Sequence, residues 1–122
     1  MGRGSDGEIK QEMKEWEIWY ARFPYEEDSK TESERPVIIL DVDKLECLSV
    51  KVTGHEVRED DSYDIPIEHW KEAGLKRASV ARVAKTMTLT KDKFINKKGE
   101  LHDDDKEVIM QKFMEFINDS NT

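Results

Sequence analysis

An arginine, a threonine and a histidine are brought together by the simplest local fold this sequence allows. Arg35 opens the apolar run Pro36-Val37-Ile38-Ile39-Leu40-Asp41-Val42, and Thr53 closes the alternating run Cys47-Leu48-Ser49-Val50-Lys51-Val52-Thr53. Asp43-Lys44-Leu45 supplies the turn between them. Folding the two runs as an antiparallel hairpin about Lys44 sets Ile38 opposite Val50, Pro36 opposite Val52 and Arg35 opposite Thr53. Facing side chains in such a pair start about 5 Å apart at Cβ. His55 follows where the chain leaves the second strand. The trio suits a phosphate centre. A guanidinium is a permanently charged, planar fork for phosphate oxygens. A threonine hydroxyl donates one hydrogen bond, and an imidazole carries a proton near neutral pH. Cleaving a ribose phosphodiester without a metal needs those functions: activation of a 2′-hydroxyl, stabilisation of five-coordinate phosphorus and protonation of a leaving 5′-oxygen. Any one such side chain in a loop is more often simply solvated, so convergence is what makes these residues candidates.

The hairpin sorts its residues by face. One face carries Pro36, Ile38, Leu40, Val42, Leu48, Val50 and Val52 and reads as core. The other carries Arg35, Val37, Ile39, Asp41, Cys47, Ser49, Lys51 and Thr53, a mixed surface open to solvent, a partner or a ligand. The flanking segments frame it. Glu8 to Glu15 suggests a short leading helix, and Trp16 to Phe23 a first strand ended by Pro24. Tyr25 to Glu34 is a polar loop beside Arg35, either a lid or a plain connection, and Gly54 to Asp64 is a second, acidic one. Ile65-Pro66-Ile67 is short and extended, and Glu68 to Ala73 reads as one or two helical turns with Gly74 just past their end. Ser79 to Leu89 is a further strand, and Lys97-Lys98-Gly99 reads as a turn. A closing helix is capped by Asp103 or Asp104 and carries the stripe Ile109, Met110, Phe113, Phe116, Ile117, which reads as core packing. The sum is a mostly β domain, a small antiparallel barrel with a short inserted helix and a C-terminal helix. It spans 15–119 behind an N-terminal extension, 1–14.

Composition bounds the rest. The chain has 122 residues and a formal net charge of −8, which excludes passive coating of nucleic acid by bulk charge but not a local basic site. Three tryptophans argue for a folded core, and core or partner packing suits Trp16, Trp19 and Trp70 better than base stacking. The single cysteine, Cys47, excludes an internal disulfide and a multi-cysteine zinc site, and fits a reducing compartment. Met1 to Lys14 is polar, with no leader pattern, and no apolar run approaches a membrane span, so a cytoplasmic location is expected. His69 and His102 read as surface residues, and neither a metal nor a cofactor is expected.

From Glu34-Arg35-Pro36-Val37-Ile38-Ile39-Leu40 onward the chain resembles the MazF/PemK toxins of bacterial type II toxin–antitoxin systems, most closely a PemK-like branch. Further matches are Val52-Thr53-Gly54-His55-Glu56, Asp64 to Ile67, Trp70 with Ala73-Gly74-Leu75, Ser79-Val80 and the closing helix, so the resemblance covers about Trp16 to Ile117. It implies an SH3-like barrel that pairs as a homodimer. It also implies a sequence-specific, metal-independent endoribonuclease acting on single-stranded RNA, and a cognate antitoxin that lays a disordered segment across the RNA groove. Arg35 and Thr53 match the family's positions at the scissile phosphate. Arg82 matches a second basic position of some members, and Lys51 and Lys85 join it as candidate RNA-binding residues. The chain departs from the pattern at Ala84, where some members carry an acid, at Met87-Thr88 in place of Arg-Thr, and at Lys14-Glu15 in place of an Arg-Gly-Asp opening. Those departures leave His55 or Arg35 as the proton carrier. The alternative reading is a catalytically weak or inactive barrel that binds RNA or a protein tail.

Overall fold

The computed structural model of the chain describes residues 12–24 and 31–120. Among the described residues six strands, β1 (Glu17–Pro24), β2 (Glu32–Val42), β3 (Glu46–Thr53), β4 (Asp64–Pro66), β5 (Val80–Thr90) and β6 (Phe94–Glu100), precede one α-helix, α1 (Asp103–Ser120), with a single 3₁₀ turn at Lys91–Lys93 between β5 and β6. They form a single antiparallel sheet in the order β4-β5-β3-β2-β1-β6. The sheet is open, with β4 and β6 as its edges, rather than closed into a complete barrel. The mostly β, antiparallel character and the closing helix are as the sequence predicts.

Apolar side chains alternate through β1, β2 and β3, and both sides of the sheet are buried. One cluster gathers Ile18, Ile38, Leu40, Val50, Val52, Val83, Leu101 and Ile109, with Trp16, Trp70, Phe113 and Phe116 packed against it. The other gathers Met13, Trp19, Phe23, Val37, Ile39, Cys47, Leu89 and Phe94. The middle of the mixed hairpin face is therefore not open to solvent, a partner or a ligand. Val37, Ile39 and Ser49 are fully buried, because β1 and β6 bring Trp19, Phe23 and Phe94 into the same cluster.

The expected register holds at Val37↔Lys51, Ile38↔Val50 and Ile39↔Ser49. It then shifts by one residue, so that Asp41 faces Leu48 and Val42 faces Cys47. A bulge reverses which side the following residues take, and Val42 accordingly packs against the second cluster instead of the first.

Three further expectations need correction. Lys97-Lys98-Gly99 is not a turn but part of β6, which pairs with β1. The helical piece after Ile67 is one hydrogen-bonded coil, His69 O to Ala73 N, too short to be a helix. It ends as foreseen, with Gly74 at φ +91°, bonds from Gly74 N to Lys71 O and from Leu75 N to Trp70 O, and both Trp70 and Leu75 in the first cluster. The cap of α1 is neither Asp103 nor Asp104: the ring Nδ1 of His102 accepts the Asp104 N–H at 3.0 Å. Ile109, Phe113 and Phe116 of the helical stripe pack inward, whereas Met110 is exposed. The leading helix expected over Glu8–Glu15 falls mostly outside the described residues, as does most of the candidate lid; within them Glu12–Lys14 is irregular.

Candidate nucleic-acid interface

Where β1, β2 and β3 open beyond the first cluster, the Gly74–Ser79 segment stands across from them and leaves a groove of about 340 Å³. Its wall includes Tyr20 of β1, Glu34, Arg35 and Pro36 of β2, Val52 and Thr53 of β3, and Gly54, Gly74, Lys76, Arg77, Ser79 and Lys98. Four cationic residues and one carboxylate thus line a groove on a chain whose net charge is −8.

Backbone packing sets the groove's width. A Cβ on Gly74 would lie 2.2 Å from the Lys98 carbonyl oxygen, and one on Gly99 would lie 2.2 Å from that of Ala73. Only two glycines let the coil and β6 come this close, and the approach sets Lys76 and Arg77 across from Lys98. The stem of Arg77 lies over Gly54, whose added Cβ would meet its Cδ at 2.6 Å. On the other side, the Lys98 amine sits 5.2 Å from the centre of the Tyr20 ring.

Arg35 and Thr53 both line this groove, beyond the point where the β2–β3 pairing ends at Val37↔Lys51. The Arg35 Nε and Nη2 both donate to the Ser33 hydroxyl, at 3.0 and 2.9 Å, which fixes the plane of the guanidinium. Thr53 is 5% exposed, and its Oγ1 accepts the backbone N–H of His55 at 3.3 Å. Because the oxygen is the acceptor there, the hydroxyl proton remains available to donate. The His55 ring is exposed and is not among the groove's lining residues.

The other candidates lie elsewhere. Arg82 is buried, and its Nη1 donates to Asp64 Oδ2 at 2.6 Å. Asp64 also accepts the Arg58 Nε and backbone N–H, at 3.1 and 3.0 Å. Burial alone pushes the Asp64 carboxyl up, but the Arg58 hydrogen bonds and the charges of Arg82 and Arg58 outweigh it and hold the carboxyl below its ordinary value. Lys51 is half-buried with its amine 5.9 Å from the Phe23 ring centre, and Lys85 is half-buried; neither lines the groove. Sequence reasoning passed over Tyr20, Lys76, Arg77 and Lys98. The adjacent basic pair Lys76-Arg77, immediately after Gly74-Leu75, was the signal that could have found the far wall. Among the described residues no helix is long and apolar enough to cross a membrane.

Solved structures with this arrangement of strands include the Mycobacterium tuberculosis toxin MazF-mt6, with a TM-score of 0.64 and 18% identity over 84% of this chain and 96% of that one. An endoribonuclease from mycobacterial species in complex with its cognate antitoxin aligns with a TM-score of 0.67 at 11% identity, over 88% of this chain and 96% of that one. A second mycobacterial endoribonuclease aligns at 0.64 and 10% identity, over 84% and 88%. At such identities the likeness establishes the fold. No curated protein matches the sequence. The family model of the PemK-like, MazF-like toxins of type II toxin–antitoxin systems, however, matches residues 14–117, nearly the whole described domain, and the chain belongs to that family.

Proposed function

We propose that the chain is a sequence-specific endoribonuclease that cleaves single-stranded RNA without a metal, leaving a 2′,3′-cyclic phosphate and a 5′-hydroxyl. One observation carries the reading: Arg35 and Thr53 line one groove with four cationic lining residues to one carboxylate, on an otherwise acidic protein. The groove suits a polyanionic strand, with Lys76, Arg77 and Lys98 to hold phosphates along it. At the scissile phosphate the 2′-oxygen attacks phosphorus and the bond to the 5′-oxygen breaks. Arg35 neutralises the charge that builds on the equatorial oxygens, and Thr53 donates to one of them. The 2′-hydroxyl loses its proton to a base and the 5′-oxygen gains one. Glu34 is the lining carboxylate, and His55 lies beside the groove on the backbone held by Thr53, so these two and Arg35 are the groups that can move those protons.

Arg82, held by Asp64, shapes the sheet beneath the groove, and Lys51 and Lys85 stand outside the path of the strand. As a toxin the chain pairs with itself and with a cognate antitoxin in the cytoplasm; one of its structural neighbours is an endoribonuclease solved with such a partner. The position of the His55 ring outside the groove favours one second reading, a module that holds RNA without cutting it.

The test is cleavage of single-stranded RNA in EDTA with analysis of the ends. The proposal expects cyclic-phosphate ends from the wild type and at least about a hundredfold loss in Arg35→Ala, the scale for removing one electrostatic stabiliser. Cleavage only with added Mg²⁺, or an unimpaired, folded Arg35→Ala, would reject the mechanism. Retained RNA binding with no cleavage would select the binding module.

A further inference from the structure

Two histidines meet at the seam between the Glu68–Gly74 coil and the start of α1, outside the residues that line the groove. The rings of His69 and His102 stack with centres 3.7 Å apart and planes 17° from parallel. His69 Nδ1 lies 2.9 Å from Glu72 Oε1, and its Nε2 lies 3.2 Å from Asp104 Oδ2. A neutral imidazole carries one N–H and cannot donate to both carboxylates at once. The seam is therefore a seat that calls for positive charge. One ligand atom from each of His69, Glu72 and His102 already falls within 4.8 Å of the others.

We propose that His69, Glu72 and His102 form a binding site for a borderline divalent transition ion of the Zn²⁺ class, with Asp104 as its supporting carboxylate. Two imidazoles with a carboxylate suit Zn²⁺ and its neighbours rather than Mg²⁺ or Ca²⁺, which prefer all-oxygen sets. The frame is built without the ion. The Asp105 carboxylate, 3% exposed, accepts the N–H groups of Glu68 and His69 at 3.1 and 2.9 Å. That bond pair ties the backbone bearing His69 to the helix turn that follows His102. Adjacent ligands on a tetrahedral ion with bonds of about 2.0 Å stand roughly 3.3 Å apart, so the donors must close a short distance and the stacked rings must splay. The side chains are 29%, 67% and 33% exposed for His69, Glu72 and His102, which gives an ion a path in.

His102 contributes a specific rearrangement. Its Nδ1 accepts the Asp104 N–H at 3.0 Å, which places the ring proton on Nε2. Coordination through Nε2 moves that proton to Nδ1, which gives up the hydrogen bond it accepts from the Asp104 N–H and donates instead to the Asp104 carboxylate, 3.7 Å away. The result is the carboxylate–histidine–metal relay that orients metal ligands in general. The ion would staple the coil to α1 and take no part in the RNA chemistry, so this inference stands apart from the proposed cleavage.

The experiment is a calorimetric Zn²⁺ titration of chelator-stripped, full-length protein, alongside thermal melting. One Zn²⁺ per chain and a melting temperature that rises with Zn²⁺ are expected. His69→Gln and His102→Asn should each weaken binding by at least about tenfold, the lower bound for disturbing even a supporting partner. Asn is chosen at 102 because it is itself a strong helix N-cap, so folding survives the loss of the ring. His55→Ala should bind as wild type does. Absence of saturable binding, or binding that survives His69→Gln/His102→Asn in a protein that melts normally, would overturn the proposal.

Discussion

Arg35 and Thr53 were legible as candidates because a hairpin with a three-residue turn needs only local chemistry to set its register. The observed pairing keeps that register from Ile39↔Ser49 to Val37↔Lys51 and stops there, short of Arg35 and Thr53, which share the wall of the groove. Lys76, Arg77 and Lys98 were not, because they meet only after the coil docks on β6 through Gly74 and Gly99. The pair makes a graded prediction. Thr53→Ala should cut turnover by about tenfold or more, and Thr53→Ser should keep part of it by preserving the donor hydroxyl. Arg35→Lys should rescue little of the loss in Arg35→Ala, since a point charge does not reproduce a planar fork. Single-turnover cleavage rates on one RNA decide both. Asp64 makes a second prediction, on stability. Removing its charge leaves Arg82, 7% exposed, without compensation, and Asp64→Asn should cost about 3–5 kcal/mol in urea unfolding. The folded state holds the Asp64 carboxyl below its ordinary value, so the pair's contribution is fully present above the unfolded pKa of about 3.9 and is lost as pH falls through the lowered folded value. The wild-type urea midpoint should therefore drop as pH falls below about 4, and that component of the drop should be missing in Asp64→Asn.

At the scale of elements, the strands with β-branched and aromatic runs were readable, and the ones that depend on a distant partner were not. β6, Phe94-Ile95-Asn96-Lys97-Lys98-Gly99-Glu100, has little apolar alternation of its own and is a strand because β1 offers it an edge. The outer half of β2, Glu32 to Arg35, is polar for the same reason and pairs with Arg22 to Pro24 and their neighbours in β1. The bulge after Ile39 leaves no mark in a run of aliphatic residues, so Val42 was assigned to the wrong side. The junction of coil and β6 carries the prediction that belongs here. Gly74→Ala meets both a positive φ and the Lys98 carbonyl, and Gly99→Ala meets the Ala73 carbonyl. Each should destabilise by more than about 1 kcal/mol, seen as a fall in melting temperature of roughly 4 °C or more for a domain of this size. A melting temperature unchanged in both would mean that the coil does not rest on β6 as described.

Over the whole molecule, an acidic body carries a cationic groove, and that separation has a measurable signature. A single strand that releases about 0.7 counterions per neutralised phosphate gives a slope of log affinity against log salt near −3 when four cations are engaged. Arg77→Ala and Lys98→Ala should each flatten it by about 0.7, while Lys85→Ala should leave it nearly unchanged. A flat wild-type slope would remove the groove as the path of the strand. Self-association is expected above the 14.3 kDa of one chain in sedimentation, through surfaces other than Val37 and Ile39. The strand order has one more consequence. β1 is completed by β6, with Ile18 paired to Gly99 and Trp19 to Lys97, so the first strand synthesised waits for the last. A nascent chain that has emerged only through β5 lacks Lys98 and the carbonyl on which Gly74 rests, and so has no finished groove. Such long-range closure is also slow to form. Under the proposed function, a strand of RNA therefore finds its path only after β6 has closed on β1.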